Sequence, residues 1–248
     1  MIKTIKTMSK QEKERYTVPR KVQDVIPVRR IWPDGIFLVG NKFSKTYKFS
    51  DINYLVASRE DKESMFLTYS ELLNSLDSGA VTKITINNRR MNQANFETSI
   101  LMPMQGDFRD EYRGEYNQML LDKATGANGI MQEKYITISV VKKDIEEARA
   151  YFSRVGADLI SHFAALGSKC VELDATERLR ILHDFYRQGE ESEFVFNARE
   201  MMKRGHSFKD YICPDGIEKK SDYLKLGGKF CRVLFLKDYA SYIKDNMV

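Results

Sequence analysis

Residues 135–173 set a strand, a helix and a second strand end to end, and that order leaves few folds open. Ile136, Ile138 and Val140 alternate with Thr137, Ser139 and Val141, the two-residue period of a strand with one buried face. Asp144 follows as a helix N-cap with Glu147 three residues on, a capping box with Asp in place of Ser or Thr. Phe152, Val155, Leu159, Phe163 and Leu166 form the apolar stripe of a helix over 144–166, and Gly167 ends it. Val171 and Leu173 then mark a short strand over 169–173. A strand, a helix and a strand in that order make a β-α-β unit, which predicts a sheet with a helical layer packed against it.

The same order occurs upstream. A strand over 45–49 precedes a helix over 59–76, which Ser58 opens with Asp61 three residues on. Phe66, Tyr69, Leu73 and Leu76 recur at helical spacing, and Asp77-Ser78-Gly79 ends the helix. Ile84 and Ile86 alternate with Lys83 and Thr85 in a half-buried strand over 82–87. An inserted polar helix, 107–123, carries Tyr112, Tyr116, Met119 and Leu120 along one side. Two β-α-β units in tandem predict an α+β fold of the ferredoxin-like, split β-α-β kind. Right-handed crossovers place both main helices on one face of its sheet.

Around this core stand N-terminal strands and a C-terminal hairpin. Val25 to Trp32 and Ile36 to Val39 are extended segments joined by Pro33-Asp34-Gly35, a turn in which Pro presets φ and Gly accepts positive φ. Asp174 with Glu177 opens another capped helix, through Leu179, Leu182 and Tyr186 to Gly189. Tyr223 to Leu226 and Phe230 to Leu236 pair across Gly227-Gly228. The chain divides into a charged tail, 1–22, and a single α+β domain, 23–248, with order beginning near Asp24. That domain comprises a β-rich subregion 23–57, a ferredoxin-like core 45–173 and a C-terminal appendage 174–248.

Composition excludes some function classes. Forty Lys and Arg against 35 Asp and Glu leave a formal charge of +5 over 248 residues, too slight to prescribe a nucleic-acid partner. Cys170, Cys213 and Cys231 are odd in number and widely spaced, so they imply no disulfide framework and fit a reducing, cytoplasmic setting. The apolar runs Ile36–Val39 and Val233–Leu236 are far short of the roughly 20 residues that span a bilayer. The basic N-terminus is not followed by the apolar block of an export signal.

Motifs for chemistry are sparse. A phosphate loop needs Gly-x-x-x-x-Gly-Lys-Ser/Thr; at Gly228-Lys229, Tyr223 holds the place of the first glycine and Phe230 that of Ser/Thr, so a hairpin turn is the better reading. Cys170, His183, His206, Cys213 and Cys231 lack the close pairing from which zinc sites are built, and make a Cys–His nucleophile only if folding brings them together. His162 sits beside an apolar stripe as a core or boundary histidine. Glu111 and Glu115 share a helix face with Arg109 and Arg113 nearby, an ion-paired solvent face rather than an acid–base pair. Arg29-Arg30 beside Trp32, Arg89-Arg90 and Lys219-Lys220 are the basic clusters with which a nucleic-acid-binding module, or an anionic membrane surface, would have to be built. No catalytic, cofactor-binding or metal-ligating residue is assigned, and no cofactor is expected.

Several whole segments carry a resemblance. They are Val22–Pro27, Asp34–Gly40, Lys48–Tyr54, Lys83–Arg89, Glu115–Leu120, Arg154–Leu159, Phe208–Asp215 and Tyr239–Asp245. Together they make the chain, from about Val22 to Asp245, resemble the N-terminal portion of VirB/TraE-type conjugative transfer ATPases of type IV secretion systems, as found in integrative conjugative elements. The resemblance implies a protein that works in DNA transfer at the inner face of the cell membrane. It further implies contacts with membrane-embedded channel subunits and with neighbouring copies of the ATPase. In that family the phosphate loop lies in a C-terminal motor domain, downstream of this chain. The expectation is therefore a non-catalytic docking and assembly domain with no small-molecule substrate, and the alternative is a nucleic-acid-binding module for the transferred strand.

Overall fold

In the computed structural model, which describes residues 19–90, 101–126 and 130–238, a six-stranded antiparallel sheet forms the frame. Its strands are β1 (Val28–Ile31), β2 (Phe37–Val39), β3 (Lys42–Phe49), β4 (Val81–Arg90), β5 (Ile130–Val140) and β6 (Cys170–Glu172). They run β1-β2-β3-β5-β4, and β6 also pairs with β3. β2 takes the first half of β3, with Phe37 opposite Ser44, and β6 takes the far end, with Tyr47 opposite Glu172. The helices are α1 (Val22–Val25), α2 (Arg59–Asn74), α3 (Asp110–Gly126), α4 (Ile145–Ala165), α5 (Ala175–Tyr186) and α6 (Ala198–Arg204), with 3-10 turns at Glu191–Glu193 and Phe208–Tyr211. β7 (Ile217–Lys219), β8 (Leu224–Leu226) and β9 (Lys229–Cys231) make a second, three-stranded sheet.

Local chemistry starts the principal helices. The Ser58 hydroxyl accepts the Asp61 amide at 3.1 Å, and Asp144 accepts the Glu147 amide at 2.9 Å. At α5 the box is reciprocal: Asp174 accepts the Glu177 amide at 2.8 Å, and Glu177 accepts the Asp174 amide at 3.2 Å. α2 joins β3 to β4 and α4 joins β5 to β6, and each connection steps over one strand of the sheet.

Two apolar cores share the sheet. On one face Phe152, Val155, Leu159 and Phe163 of α4 pack on Phe43, Tyr47, Ile136 and Ile138, with Leu72 of α2 beside them. Each fully buried side chain of this size contributes about 1.5–3 kcal/mol. Strand alternation sends Phe37 and its partner Ser44 to the other face, where Phe37, Ile26 and Val28 pack on Ala175 and Leu179 of α5 and on Ile212 and Cys213. α2 and α4 touch each other on the first face, while α5 covers the second.

Two glycines are fixed by close approach. Gly35 has φ +77°, and a Cβ there would lie 2.0 Å from the Leu173 carbonyl oxygen. Gly156 in α4 lets the Tyr47 hydroxyl and a Glu172 carboxylate oxygen reach the helix backbone, each 2.8 Å from where a Cβ would sit. Tyr47 is wholly buried, donates to the Phe152 carbonyl at 3.3 Å, and has its ionisation pushed up by that burial.

The mixed α+β class follows the sequence reading; the sheet's pairings, all antiparallel among the described residues, were not specified by it, and several details differ. Val22–Val25 is a helical turn where the tail was expected to give way to a strand. Helices are not confined to one face, because α5 carries its stripe to the far side of β2 and β3. Of the expected stripe Phe66, Tyr69, Leu73 and Leu76, only Leu76, just past the end of α2, packs on the core; the other three are exposed, and α2 turns Leu72 and the partly buried Met65 inward instead. The C-terminal hairpin gains a third strand, β7, yet β9 stops at Cys231. Val233, Leu234, Phe235 and Leu236 lie beyond it, outside any strand and 68–84 % exposed. Residues 1–18 of the expected tail and the resembling segment Tyr239–Asp245 lie outside the described residues.

Candidate functional site

The surface with the strongest interaction chemistry is built on the inserted helix α3 and the loop before it. Arg113 of α3 pairs with Asp107 and Asp110, and its second guanidinium nitrogen donates to Gln105 at 3.2 Å. Asp110 in turn accepts the amides of Gln105 at 3.0 Å and Gly106 at 2.7 Å. One turn further on, the Asn117 side chain closes a two-way link with the Met102 backbone, accepting its amide at 2.8 Å and donating to its carbonyl at 2.9 Å. The loop is thereby tied to the helix twice.

These bonds set the local electrostatics. The Arg113 guanidinium holds the Asp107 carboxyl below the usual carboxylate range; for Asp110 the Gln105 amide leads and Arg113 adds to it. The same bonds raise the basicity of Arg113. With the polar groups so engaged, the outward side is left to aromatic and sulfur-bearing groups. Met102, Phe108, Arg109, Tyr112 and Arg113 line an open concavity of about 340 Å³. Phe108 is 82 % and Tyr112 67 % exposed, and the Arg109 guanidinium lies 5.3 Å from the centre of the Phe108 ring. Tyr116 and Met119 continue the exposed strip along α3.

Glu111 and Glu115, singled out in sequence, are both exposed, and the carboxylates that engage Arg113 are instead Asp107 and Asp110. Their spacing of three residues at a helix start was the available signal, since acids there also favour the helix dipole.

Elsewhere the flagged residues are dispersed. Gly228-Lys229 lies at the β8–β9 turn, where Gly227 takes φ +55°. Cys170 belongs to the first core and Cys213 to the second; burial pushes the Cys170 thiol up to about 11 and raises that of Cys213, away from thiolate chemistry. His183 is buried with Nδ1 3.6 Å from an Asp184 oxygen and its ring 5.1 Å from Phe194, while His206 is 3.6 Å from Asp210. His162 is half-buried in the last turn of α4, and Cys231 ends β9. Among the described residues no three His, Cys, Asp or Glu side chains gather closely enough to hold a metal ion, and no helix is long and apolar enough to cross a membrane.

The basic clusters are equally separate. Arg29 and Arg30 stand on the edge strand β1, Arg89 and Arg90 end β4, and Lys219 and Lys220 close β7. Trp32, the ring beside Arg29-Arg30, packs inward: it lies 5.8 Å from that of Phe43, and the Arg30 guanidinium covers it at 5.9 Å.

Lys45, Glu133, Arg178 and Asp184 are buried charged residues that the sequence did not announce, and Arg178 ties the most elements together. Arg178 of α5 is buried against neutral partners, donating to the Gly35 carbonyl and the Ser44 carbonyl at 2.7 Å each and to the Ser44 hydroxyl at 3.1 Å. Its guanidinium sits 4.0 Å from the centre of the Phe37 ring, and burial pushes its pKa down to about 9. Its place three residues after Ala175, beside Leu179 on the apolar stripe of α5, was the sign that it would turn inward. It clamps α5 to the β1–β2 turn and to β3, and makes the two cores one structure. No protein-family model and no curated protein matches the chain.

Proposed function

We propose that this chain is the N-terminal docking and assembly portion of a VirB/TraE-type conjugative transfer ATPase. It would act in DNA transfer at the cytoplasmic face of the membrane by contacting channel subunits and other copies of the ATPase. The observation that carries the proposal is the α3 surface: a helix inserted between two paired strands, tied down by Arg113 and Asn117, that turns Phe108, Arg109, Tyr112, Tyr116 and Met119 outward. Aromatic, Met and Arg side chains are the types that dominate protein–protein contacts, and a pre-organised helix lowers the entropy lost on docking. The strand order β6-β3-β5-β4, with α2 and α4 as crossovers on one face, supports a ferredoxin-like reading of the central sheet. The inward packing of Trp32 removes the ring beside Arg29-Arg30 from base stacking, but Phe108 and Tyr112 beside Arg109 are exposed rings that could stack bases, so the test must separate protein from nucleic-acid partners.

The test uses a photo-crosslinking amino acid placed at Tyr112 in cells carrying the transfer machinery. Adducts with membrane channel subunits are expected at Tyr112 and not at Glu177, on the far helix α5. Phe108→Ser with Tyr112→Ser is expected to weaken that association by about 30-fold or more, as loss of a hot spot of ~2 kcal/mol does. Adducts confined to nucleic acid, or full association in the double variant, would refute the proposal. Calorimetry with Mg-ATP supplies a second check, since saturable micromolar binding by the chain would contradict a docking role without its own nucleotide site.

A further inference from the structure

The sheet has one long open edge. β1, at the other end, is four residues long, carries Arg29 and Arg30 and is bulged between Val28 and Arg30, all devices that discourage pairing. β4 is ten residues long and, among the described residues, pairs only with β5. From Val81 to Asn88 its sole charged residue is Lys83. Among the described residues, nothing along that stretch protects the edge.

The helical layer above this edge is unfinished as well. Ile84 lies opposite the core residue Ile136, so strand alternation puts Ile84 and Ile86 on the α2–α4 face, yet both remain exposed. Phe66, Tyr69 and Leu73 form a second stripe on α2 beside the core-facing Met65, Leu72 and Leu76. α2 touches α4 on this face, and the stripe lies outside the surfaces that the described residues cover. These five side chains are 37–67 % exposed.

We infer that β4 and the free flank of α2 form a homodimer interface, in which β4 pairs antiparallel with β4 of a second copy across a two-fold axis at Thr85. The axis sets Ile84 against Ile86 of the other copy, Thr85 against Thr85 and Lys83 against Asn87, so no like charges meet over this stretch. The occupant must extend both layers at once. A lone peptide strand would satisfy the edge and leave the α2 stripe in water, whereas a second copy brings its own α2 over the joined strands. At roughly 150–200 Å² per large side chain, full covering of these exposed fractions removes on the order of 400 Å² of apolar surface per copy, about 800 Å² for the pair. The paired β4 backbones and their polar side chains add the remainder of the roughly 1,000 Å² that a specific interface needs.

This inference sharpens the portion of the docking proposal that concerns contacts between copies, and it is tested without channel subunits, so either can fail alone. The purified chain carrying Cys231→Ser is studied by sedimentation equilibrium, then with Thr85→Cys, Ile86→Lys or Phe66→Ser added. The expected result is a concentration-dependent dimer, with Thr85→Cys giving an intermolecular disulfide on mild oxidation because directly opposed strand residues lie within disulfide reach. Ile86→Lys is expected to raise the dimer dissociation constant by more than about a hundredfold, since the axis places the new charge in the interface twice. Phe66→Ser weakens it in the same direction, and both variants change exposed side chains, which circular dichroism checks for retained fold. A monomer at every concentration would overturn the inference, as would a dimer indifferent to Ile86→Lys and Phe66→Ser or one that Thr85→Cys does not cross-link.

Discussion

Gly35 and Gly40 take the same kind of backbone and differ only in their surroundings, which makes them a matched pair. Both have positive φ, +77° and +61°, and each lies in a turn between β-strands. Nothing lies within 4 Å of where a Cβ would stand at Gly40, whereas at Gly35 that atom would meet the Leu173 carbonyl oxygen at 2.0 Å. Alanine at Gly40 therefore carries only the left-handed penalty of about 1–2 kcal/mol, some of which the lower entropy of the unfolded chain offsets. Alanine at Gly35 carries that penalty and must also push the turn away from the Leu173 backbone, at the ~1–3 kcal/mol or more typical of overpacking. The displaced segment is the junction that leads into α5, so the Arg178 bond to the Gly35 carbonyl is disturbed at the same time. Gly35→Ala should lose about 3–5 kcal/mol and Gly40→Ala about 1–2 kcal/mol. Urea unfolding followed by Trp32 fluorescence measures both, and the sole tryptophan stands three residues from Gly35. If the two variants unfold within about 1 kcal/mol of each other, the argument from close approach is wrong.

Two further outcomes follow from charged groups. Arg178→Lys keeps a buried charge but cannot reach the carbonyls of Gly35 and Ser44 and the Ser44 hydroxyl together, so it should cost about 2–4 kcal/mol, while Arg178→Met, which removes the buried charge, should cost less. A lysine variant as stable as the parent in urea would dismiss this account. Asp107 and Asp110 have carboxyls held below their ordinary values, so their support of the α3 loop is complete above an unfolded pKa of about 3.9 and is lost as pH falls through the depressed values. The amide resonances of Gln105 and Gly106, both donors to Asp110, should shift across that acid range, and flat titration curves would contradict the assignment.

Elements whose signals are local were readable in advance. The caps at Ser58, Asp144 and Asp174 start helices where the sequence puts them, and the alternation through Ile136, Ile138 and Val140 is a strand with those residues inward. What stayed hidden depends on packing. Phe66, Tyr69 and Leu73 make as good a stripe as Met65 and Leu72, and only the position of α4 decides which one faces the core. The second core required knowing that α5 returns to the far face of β2, which no periodicity within α5 reveals. At the α3 surface, Tyr112, Tyr116 and Met119 were visible as a side of a helix, but the choice of Asp107 and Asp110 over Glu111 and Glu115 rests on how the preceding loop folds back. Gly228-Lys229 was legible as a turn because two adjacent glycines after a short strand have few other uses.

The exposed run Val233–Leu236 has a practical consequence for anyone handling the protein. Four adjacent large aliphatic and aromatic groups of high β-propensity match the nucleating core of a fibril, and Arg232 before and Lys237 after stand as gatekeepers. Colloidal shelf life should thus hinge on those two cations. Polyanionic additives that mask them would hasten precipitation, and a charge written into the middle of the run would delay it.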